Sequence, residues 1–260
     1  MRITYRDKDT KTYWQQRWDS TAIDDEMKNT NVYPLKYALK YLSKKKCKIL
    51  EAGCGAGRIL RYFHNKNYDI VGIDYIKSAI EKLRTLDSSL NITFGDITDL
   101  KFDDNTFDHI LAFGLYHGLA ENLDKAINET YRVLKKDGIL CASFRADNIQ
   151  NYINDFYFRA PKKIKQHSNM KFHKINLKKI ELIKLFTKHN FKFLSIYPVI
   201  NMPFFYRFKI TRHKKHKVFN EQMARIEGYR LSMIGQFLQN ILTKCFPEYF
   251  CNLYVIYLKK

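Results

Sequence analysis

Acidic side chains are scarce in the second half of this chain. Residues 151–260 contain 22 lysines and arginines but only 5 acids, whereas residues 1–150 contain 24 and 21. The formal net charge of +20 therefore lies almost entirely after residue 150. A general bias toward lysine in the genome would raise the charge of both halves alike. The contrast favours an anionic partner or surface for the second half.

The sequence also has no long apolar run, no paired cysteine spacing and no linker rich in proline, glycine or serine. Its best apolar window, residues 191–205, is too short and too polar to span a membrane. With no leader-like start, we expect a cytoplasmic protein, with peripheral membrane contact left open. We expect no metal, because no cysteine–histidine cluster has zinc-ligand spacing, and we expect reduced thiols at all five cysteines: Cys47, Cys54, Cys141, Cys245 and Cys251.

The most informative segment is residues 49–58, an apolar strand that ends in an acid and opens into a glycine-rich turn before a helix. Glu51 precedes Gly53, Gly55 and Gly57, and three glycines let the backbone turn sharply and approach a ligand closely. The helix that follows points its free N–H groups at that ligand. An acid before the first glycine suits an amine-bearing ligand better than a pyrophosphate. A dinucleotide-binding turn also has two residues before its third glycine, where this chain has one.

Further acids follow at the ends of later strands. Residues 68–74 read as a strand ending in Asp74, whose carboxylate can accept the ribose hydroxyls of a nucleoside. Residues 75–86 have helical spacing, and residues 91–100 read as a short strand followed by Gly95 and Asp96. Residues 107–117 and 134–140 read as a fourth strand with its loop and a turn into a fifth strand. Dinucleotide-binding folds use the same strand-end acid, so Asp74 alone does not separate the two cofactors.

Taken in order, these segments resemble the class I S-adenosylmethionine-dependent methyltransferases, whose first motif is similar to Glu51-x-Gly53-x-Gly55-x-Gly57. The resemblance implies that Asp96 lies near the adenine amino group, that the Ile97 backbone meets the ring, and that Tyr75 and Phe113 contact the cofactor, with Cys54 filling a slot in the glycine loop. A Tyr-Trp-x-x-Arg segment implies that Tyr13 and Arg17 cap the cofactor. The alternative is an N-terminal helix whose aromatic residues pack on the core.

The resemblance also implies a Rossmann-like, doubly wound α/β fold with a seven-stranded sheet, an antiparallel seventh strand and helical insertions near the C-terminus. We expect a single domain, with an N-terminal helical cap (1–45), a cofactor-binding core (46–146) and a basic acceptor-side half (147–260). We expect a helix at 33–42, an amphipathic helix at 121–134 and strand five at 139–144. For the second half, the patterns predict a mobile insertion at 147–174, helices at 177–190 and 220–246, and strands at 191–199 and 249–258.

Three residues are candidates for the acceptor side. His117 follows strand four, beside the expected methyl position, and is the best candidate for a general base with a near-neutral pKa. Arg145, just past strand five, is a candidate anion holder, and Tyr116 a candidate lining residue. Packing of His117 in its loop and surface exposure of Arg145 are equally weighted alternatives.

The sequence therefore predicts a methyltransferase that moves a methyl group by in-line displacement from S-adenosylmethionine to a small-molecule, lipid-linked or saccharide-linked acceptor. The tetrad that marks methylation of exocyclic amines is absent. The basic second half would rest on an anionic membrane or bind a phosphorylated substrate. Two alternatives stay open: an RNA methyltransferase with a basic RNA-binding half, and a non-catalytic cofactor-binding scaffold. An NAD-dependent enzyme is a remote third.

Overall fold

The protein is an α/β structure, seen in a computed structural model that describes residues 1–20, 26–42, 46–158, 170–218 and 228–260. Within these residues nine strands are found: β1 (Arg2–Arg6), β2 (Lys48–Ala52), β3 (Asp69–Asp74), β4 (Ile92–Phe94), β5 (Phe107–Ala112), β6 (Leu134–Arg145), β7 (Lys171–Asn176), β8 (Lys192–Val199) and β9 (Leu253–Lys259). The α-helices are α1 (Thr10–Ser20), α2 (Leu35–Ala38), α3 (Arg58–His64), α4 (Lys77–Leu86), α5 (Leu123–Val133), α6 (Ile149–Ile153), α7 (Lys179–Thr187) and α8 (Met233–Cys245).

Seven strands form one sheet in the order β4-β3-β2-β5-β6-β9-β8. Strands β2 to β6 pair in parallel, and β9 runs antiparallel to both of its neighbours. The strand order reverses direction between β2 and β5, the place where ligands bind in open α/β sheets. The predicted Rossmann-like sheet with an antiparallel seventh strand is therefore confirmed.

Continuous apolar runs explain the sheet, because its strands are covered on both faces. In β2, Leu50 packs in one apolar cluster and Ile49 in the other, so neighbouring residues of the strand face opposite layers. Residues 253–258 of β9 are buried throughout. The helices α4 and α5 bury the apolar positions expected of them, including Ile80, Leu83 and Ile127.

A second sheet has two strands, which come from the start of the chain and from the segment after β6. Strand β1 pairs antiparallel with β7, with Arg2 opposite Asn176 and Arg6 opposite Lys171. The sequence predicted an N-terminal helical cap and a mobile insertion at 147–174. The prediction was wrong for residues 2–6 and 171–174, because these short, charged segments become strands only by pairing with each other. Residues 149–153 form α6 and 154–158 a π-helical turn, and the rest of the predicted insertion, 159–169, lies outside the described residues.

The predicted helix at 220–246 is not continuous, because it is interrupted within the described residues. Ser232 caps α8 through its side chain, which accepts the Gly235 N–H at 3.2 Å, and residues 228–231 are not helical. Gly228 has a φ of +79°, a conformation that ends regular helical spacing. Residues 220–227 of the predicted helix lie outside the described residues. The predicted helix at 33–42 is shorter too, with α2 followed by a 3₁₀ turn over 39–41.

Within the described part of the chain, no helix is both long and apolar enough to cross a membrane. All five cysteines are free thiols, and four of them are buried.

Candidate functional site

Three adjoining cavities open along the carboxyl ends of the parallel strands. The largest, here called the glycine-loop cavity, has a volume of about 570 Å³ and is lined by Glu51, Gly53 and Gly55. This volume lies within the range of about 300–1,000 Å³ that is usual for small-molecule and cofactor sites. The Asp96 cavity, about 310 Å³, shares Gly53, Asp74 and Tyr75 with it and adds Asp96 and Ile97. The basic cavity, about 240 Å³, shares Tyr13 and Arg145 with it.

The glycine loop is tied to the end of β3. The N–H groups of Gly53 and Cys54 donate to the Ile73 carbonyl oxygen at 2.8 and 2.9 Å. The buried Asp74 carboxylate accepts the Gly55 N–H at one oxygen and the Ile76 N–H at the other, both at 2.9 Å. A carboxylate has about four lone-pair sites, so Asp74 keeps acceptor capacity for ligand hydroxyls.

Glu51 is a buried acid with an unsatisfied oxygen. The side chain is 6% exposed, and among the described residues its Oε2 has no hydrogen-bond partner. Burial, with a smaller contribution from the charge of Asp74, raises the pKa of Glu51 to about 8. A cationic or amine N–H donor beside Glu51 would satisfy this oxygen and stabilise the ionised form of the carboxyl group.

An aromatic helix covers the glycine loop. The α1 residues Tyr13, Trp14, Arg17 and Trp18 all line the glycine-loop cavity. The Trp18 ring lies so close to Gly55 that a Cβ at this glycine would stand 2.5 Å from the ring, and Gly55 has a φ of +51°. Trp14 stacks on Trp18 with ring centroids 5.8 Å apart. No α1 residue is fully buried, so this helix is a cover over the loop rather than a core element.

Most of the predicted cofactor-contacting residues line these cavities. The glycine-loop cavity brings together Tyr13, Arg17, Glu51, Gly53, Cys54, Gly55, Asp74, Tyr75, Phe113 and Arg145. Asp96 and Ile97 line the Asp96 cavity, where Asp96 accepts the Thr98 N–H at 2.8 Å. Gly57 lines none of these three cavities. It begins α3 at a φ of +69°, where a Cβ would stand 2.7 Å from Leu83, so its role is in loop geometry and packing.

Two of the acceptor-side expectations change in the structure. Tyr116 is fully buried, and its hydroxyl meets Thr130 Oγ1 at 2.7 Å, so it is a core residue and not part of the acceptor mouth. His117 lines the basic cavity. Burial, then the charges of Arg145 and Lys174, lower the pKa of His117 well below its usual value. The imidazole is therefore neutral and a weak base, unlike the near-neutral base expected from the sequence.

Several cavity residues were not identified from the sequence. Tyr33 lies beside Phe113 and its hydroxyl meets Ser143 Oγ at 2.9 Å, while Ser143 Oγ also accepts the Gly114 N–H at 2.8 Å. Arg6 and Lys174 reach the basic cavity from β1 and β7. The basic charge of their segments was the only sequence signal for these two cations. Their strands are far apart in the sequence, so no local pattern indicates that Arg6 and Lys174 lie in one cavity.

The arrangement fits a nucleoside that carries an amino-acid tail. Glu51 offers an unsatisfied acceptor for the amine, Asp74 keeps lone pairs for ribose hydroxyls, and Asp96 lies beyond Asp74 on the side expected for adenine. No cluster of metal-ligating side chains is found among the residues that the structure describes. Fold and site together define a nucleoside-binding protein of the Rossmann-like class.

Comparison with known proteins narrows this class. Residues 50–142 match the family model of a methyltransferase domain. The malonyl-[acyl-carrier protein] O-methyltransferase of Salmonella typhimurium is 28% identical over 93 residues, which cover 35% of this chain and 36% of that protein. The demethylmenaquinone methyltransferase of Leptospira interrogans is 29% identical over 124 residues, 42% of this chain and 49% of that protein. The chain thus spans between a third and a half of the length of these two curated relatives.

Solved structures share the fold over nearly the whole chain. A SAM-dependent methyltransferase from Archaeoglobus fulgidus superposes with a TM-score of 0.56 at 14% identity, covering 96% of this chain and 95% of that one. The [4+2]-cyclase SpnF superposes with a TM-score of 0.55 at 18% identity, covering 96% and 92%. Residues 50–142 are therefore similar to a methyltransferase domain, and the described chain shares its fold with a structure described as a SAM-dependent methyltransferase.

Proposed function

We propose that the protein transfers a methyl group from S-adenosylmethionine to a small-molecule, lipid-linked or saccharide-linked acceptor. The observation that carries the proposal is the continuity of the two cavities. The glycine-loop cavity and the basic cavity share Tyr13, Tyr33, Gly114 and Arg145, so a ligand on the glycine loop and a second ligand beyond β6 would meet at a common wall.

When bound, S-adenosylmethionine supplies the methyl group on an activated sulfonium. The protein then has to hold two ligands in line and exclude water, since proximity and orientation can provide a large part of the rate enhancement. Glu51 and Asp74 would hold the amine and ribose, and the tryptophan pair of α1 would cover the loop. The Tyr33–Ser143–Gly114 hydrogen bonds fix the shared wall. Two curated relatives, named as methyltransferases of malonyl-[acyl-carrier protein] and of demethylmenaquinone, support a small or carrier-linked acceptor.

The direct test is calorimetric titration with S-adenosylmethionine and S-adenosylhomocysteine, with NAD as the control, followed by transfer of labelled methyl into fractionated small molecules, lipids and glycans. We expect saturable binding of the first two ligands, no binding of NAD, and label in at least one fraction. Binding of NAD alone would contradict the family assignment. Cofactor binding without label in any fraction would favour the non-catalytic scaffold. It would also favour a reaction other than methyl transfer, as in SpnF, a [4+2]-cyclase that shares the fold.

An exposed apolar face near the cavities favours an acceptor presented by a lipid surface. Met233, Ile234, Phe237 and Ile241 share one side of α8 and are 90%, 72%, 67% and 45% exposed. The helix packs on residues 204–211 through Gly235, where a Cβ would stand 2.3 Å from the Thr211 carbonyl oxygen. Gly228 and Tyr229, a few residues before α8, line the glycine-loop cavity.

The segment on which α8 packs, and the residues that follow it, are basic. Residues 207–217 contain six lysines and arginines and no acid. Lys209, Lys214, Lys215 and Lys217 are exposed, as is the neighbouring Ile210. An apolar helix face beside lysines matches an anionic bilayer, where each nearby cation contributes about 1 kcal/mol. We therefore assign the α8 face to anionic lipid.

Vesicle sedimentation tests this assignment. We expect the protein to sediment with vesicles that contain phosphatidylserine and to stay in solution with phosphatidylcholine alone. Ile234→Asp should reduce binding at least tenfold, because it places a charge in the buried part of the contact. Ile180→Asp on α7 is the matched control, since Ile180 is also an exposed helical isoleucine, at 57%. Equal binding by both variants, a stable dimer through α8, or binding to single-stranded RNA in place of vesicles would overturn it.

A further inference from the structure

The lining of the basic cavity is rich in basic side chains. Arg6, Arg145, His173 and Lys174 line it together with His117, and its lining contains no aspartate or glutamate among the residues that the structure describes. Three elements supply these groups: β1 provides Arg6, β6 ends at Arg145, and β7 provides His173 and Lys174. The cavity is therefore a convergence of cations from separate parts of the chain, unlike a solvated charge run on one element.

The basic side chains of this cavity differ in how far neighbouring acids already compensate their charge. Lys174 is 3% exposed and pairs with Asp155 at 3.1 Å, and Asp155 also pairs with Arg2 at 2.9 Å. That ion pair compensates much of the charge of Lys174. The Arg6 guanidinium lies 4.0 Å from the Tyr13 ring centroid, and its Nε donates to the Lys8 carbonyl oxygen at 2.9 Å. Desolvation lowers the pKa of Arg6 while the nearby Asp9 and Asp7 act in the opposite direction, and the guanidinium stays charged.

His117 supplies a neutral hydrogen-bonding group at the same wall. Its Nδ1 is buried and has no hydrogen-bond partner among the described residues. The ring packs against Phe144, with centroids 6.1 Å apart. Burial, and then the charges of Arg145, Lys174 and His173, lower the pKa of His117, as expected beside the basic side chains that line this cavity. A ligand oxygen beside His117 would meet both those side chains and an unsatisfied ring nitrogen.

We propose that the basic cavity binds an oxyanion of the methyl acceptor, a carboxylate or a phosphate, and so selects acceptors that carry a negative charge beside the methylated position. Arg145, which lines both cavities, would hold the oxyanion at the wall shared with the cofactor. Arginine favours such groups because its planar guanidinium can donate two parallel hydrogen bonds. The inference rests on the proposed function for the identity of the ligand as acceptor, but the anion site itself can be measured without turnover.

Ligand-observed NMR with succinate, its neutral diamide and inorganic phosphate tests the proposal, with and without saturating S-adenosylhomocysteine. We expect saturable binding of succinate or phosphate and none of the diamide, with the tighter anion showing which oxyanion the cavity takes. Arg145→Gln and Arg6→Gln should each weaken anion binding at least tenfold, and Arg145→Lys should restore part of it. Arg84→Gln, at an exposed arginine on α4, is the matched control and should leave it unchanged.

Binding of S-adenosylhomocysteine reports on folding and on the proposed function separately. If the variants bind S-adenosylhomocysteine normally and the anions bind equally to all of them, the cavity is not an oxyanion site, whereas the methyltransferase assignment stands. If no protein binds S-adenosylhomocysteine but the anion effects appear as expected, the anion site stands and the proposed function fails. Binding of the diamide as strongly as succinate would also overturn selection by charge.

Discussion

Replacement of Asp74 by asparagine is expected to weaken binding of S-adenosylmethionine about tenfold to a hundredfold, since hydrogen bonds to a charged group contribute about 1.5–3 kcal/mol. The carboxylate accepts N–H groups at both oxygens, from Gly55 and from Ile76. An amide has one acceptor oxygen, so its NH₂ group would face one of these N–H donors and loosen the glycine loop. Calorimetric titration with S-adenosylmethionine measures the loss.

Asp87→Asn is a matched control for this variant. Asp87 also lies at the end of a regular element and accepts the N–H of the residue two positions later, Ser89, at 2.9 Å, but it is partly exposed and lines none of the three cavities. Its replacement should leave cofactor affinity unchanged. Equal effects of the two substitutions would remove Asp74 from the cofactor site and leave it as a local turn residue.

Glu51→Gln is expected to remove a pH dependence that the wild-type site has. With a pKa of about 8, Glu51 is mostly protonated at pH 7 in the empty protein, and binding of a cationic amine favours its ionised form. Relative to the Glu51→Gln variant, wild-type affinity should therefore rise between pH 6 and 8 and level off above 8. Any titration of the ligand itself is common to both proteins, so the difference isolates Glu51.

The stability of the empty protein should show the opposite trend. Glu51 has an ordinary pKa of 4.5 and a folded-state pKa of about 8. The folded state therefore holds a proton that the unfolded chain releases, and stability falls as pH rises from 4.5 through 8. Glu51→Gln should raise the thermal midpoint at pH 8 but not at pH 4.5. Glu81→Gln, on the exposed face of α4, is the control. A wild-type midpoint that follows the variant across this range would exclude a buried, protonated Glu51.

Local sequence patterns were sufficient to predict the part of the site that local structure builds. The glycine turn after β2 and the acid at the end of β3 are each encoded within a few residues, and the structure brings Gly53, Gly55 and Asp74 to one cavity. The existence of the buried strand β9 could be predicted from its continuous apolar run, whereas its antiparallel direction was implied only by the family resemblance. Its burial between β6 and β8 confirms that expectation.

The parts that failed depend on contacts between distant residues. Tyr116 lies next to His117 in sequence, but its ring packs on Phe186 and its hydroxyl meets Thr130, which no local pattern reveals. The depressed pKa of His117 depends first on burial and then on charges from β6 and β7. Strand β1 has five residues and exists only through β7. Propensity cannot anticipate such a strand, because burial and cross-strand partners decide it.

The pairing of β1 with β7 also sets an order on synthesis. Arg2 emerges from the ribosome long before its partner Asn176, so the N-terminal strand must wait while the five parallel strands of the main sheet are completed. Domains generally fold as the chain emerges, and closing so long a loop carries an entropic cost. A nascent chain can thus form the glycine turn and the strands around it before β7, which carries Lys174, has been synthesised. Because Arg6 and Lys174 reach the basic cavity on these two strands, that cavity is completed later in synthesis than the glycine turn after β2.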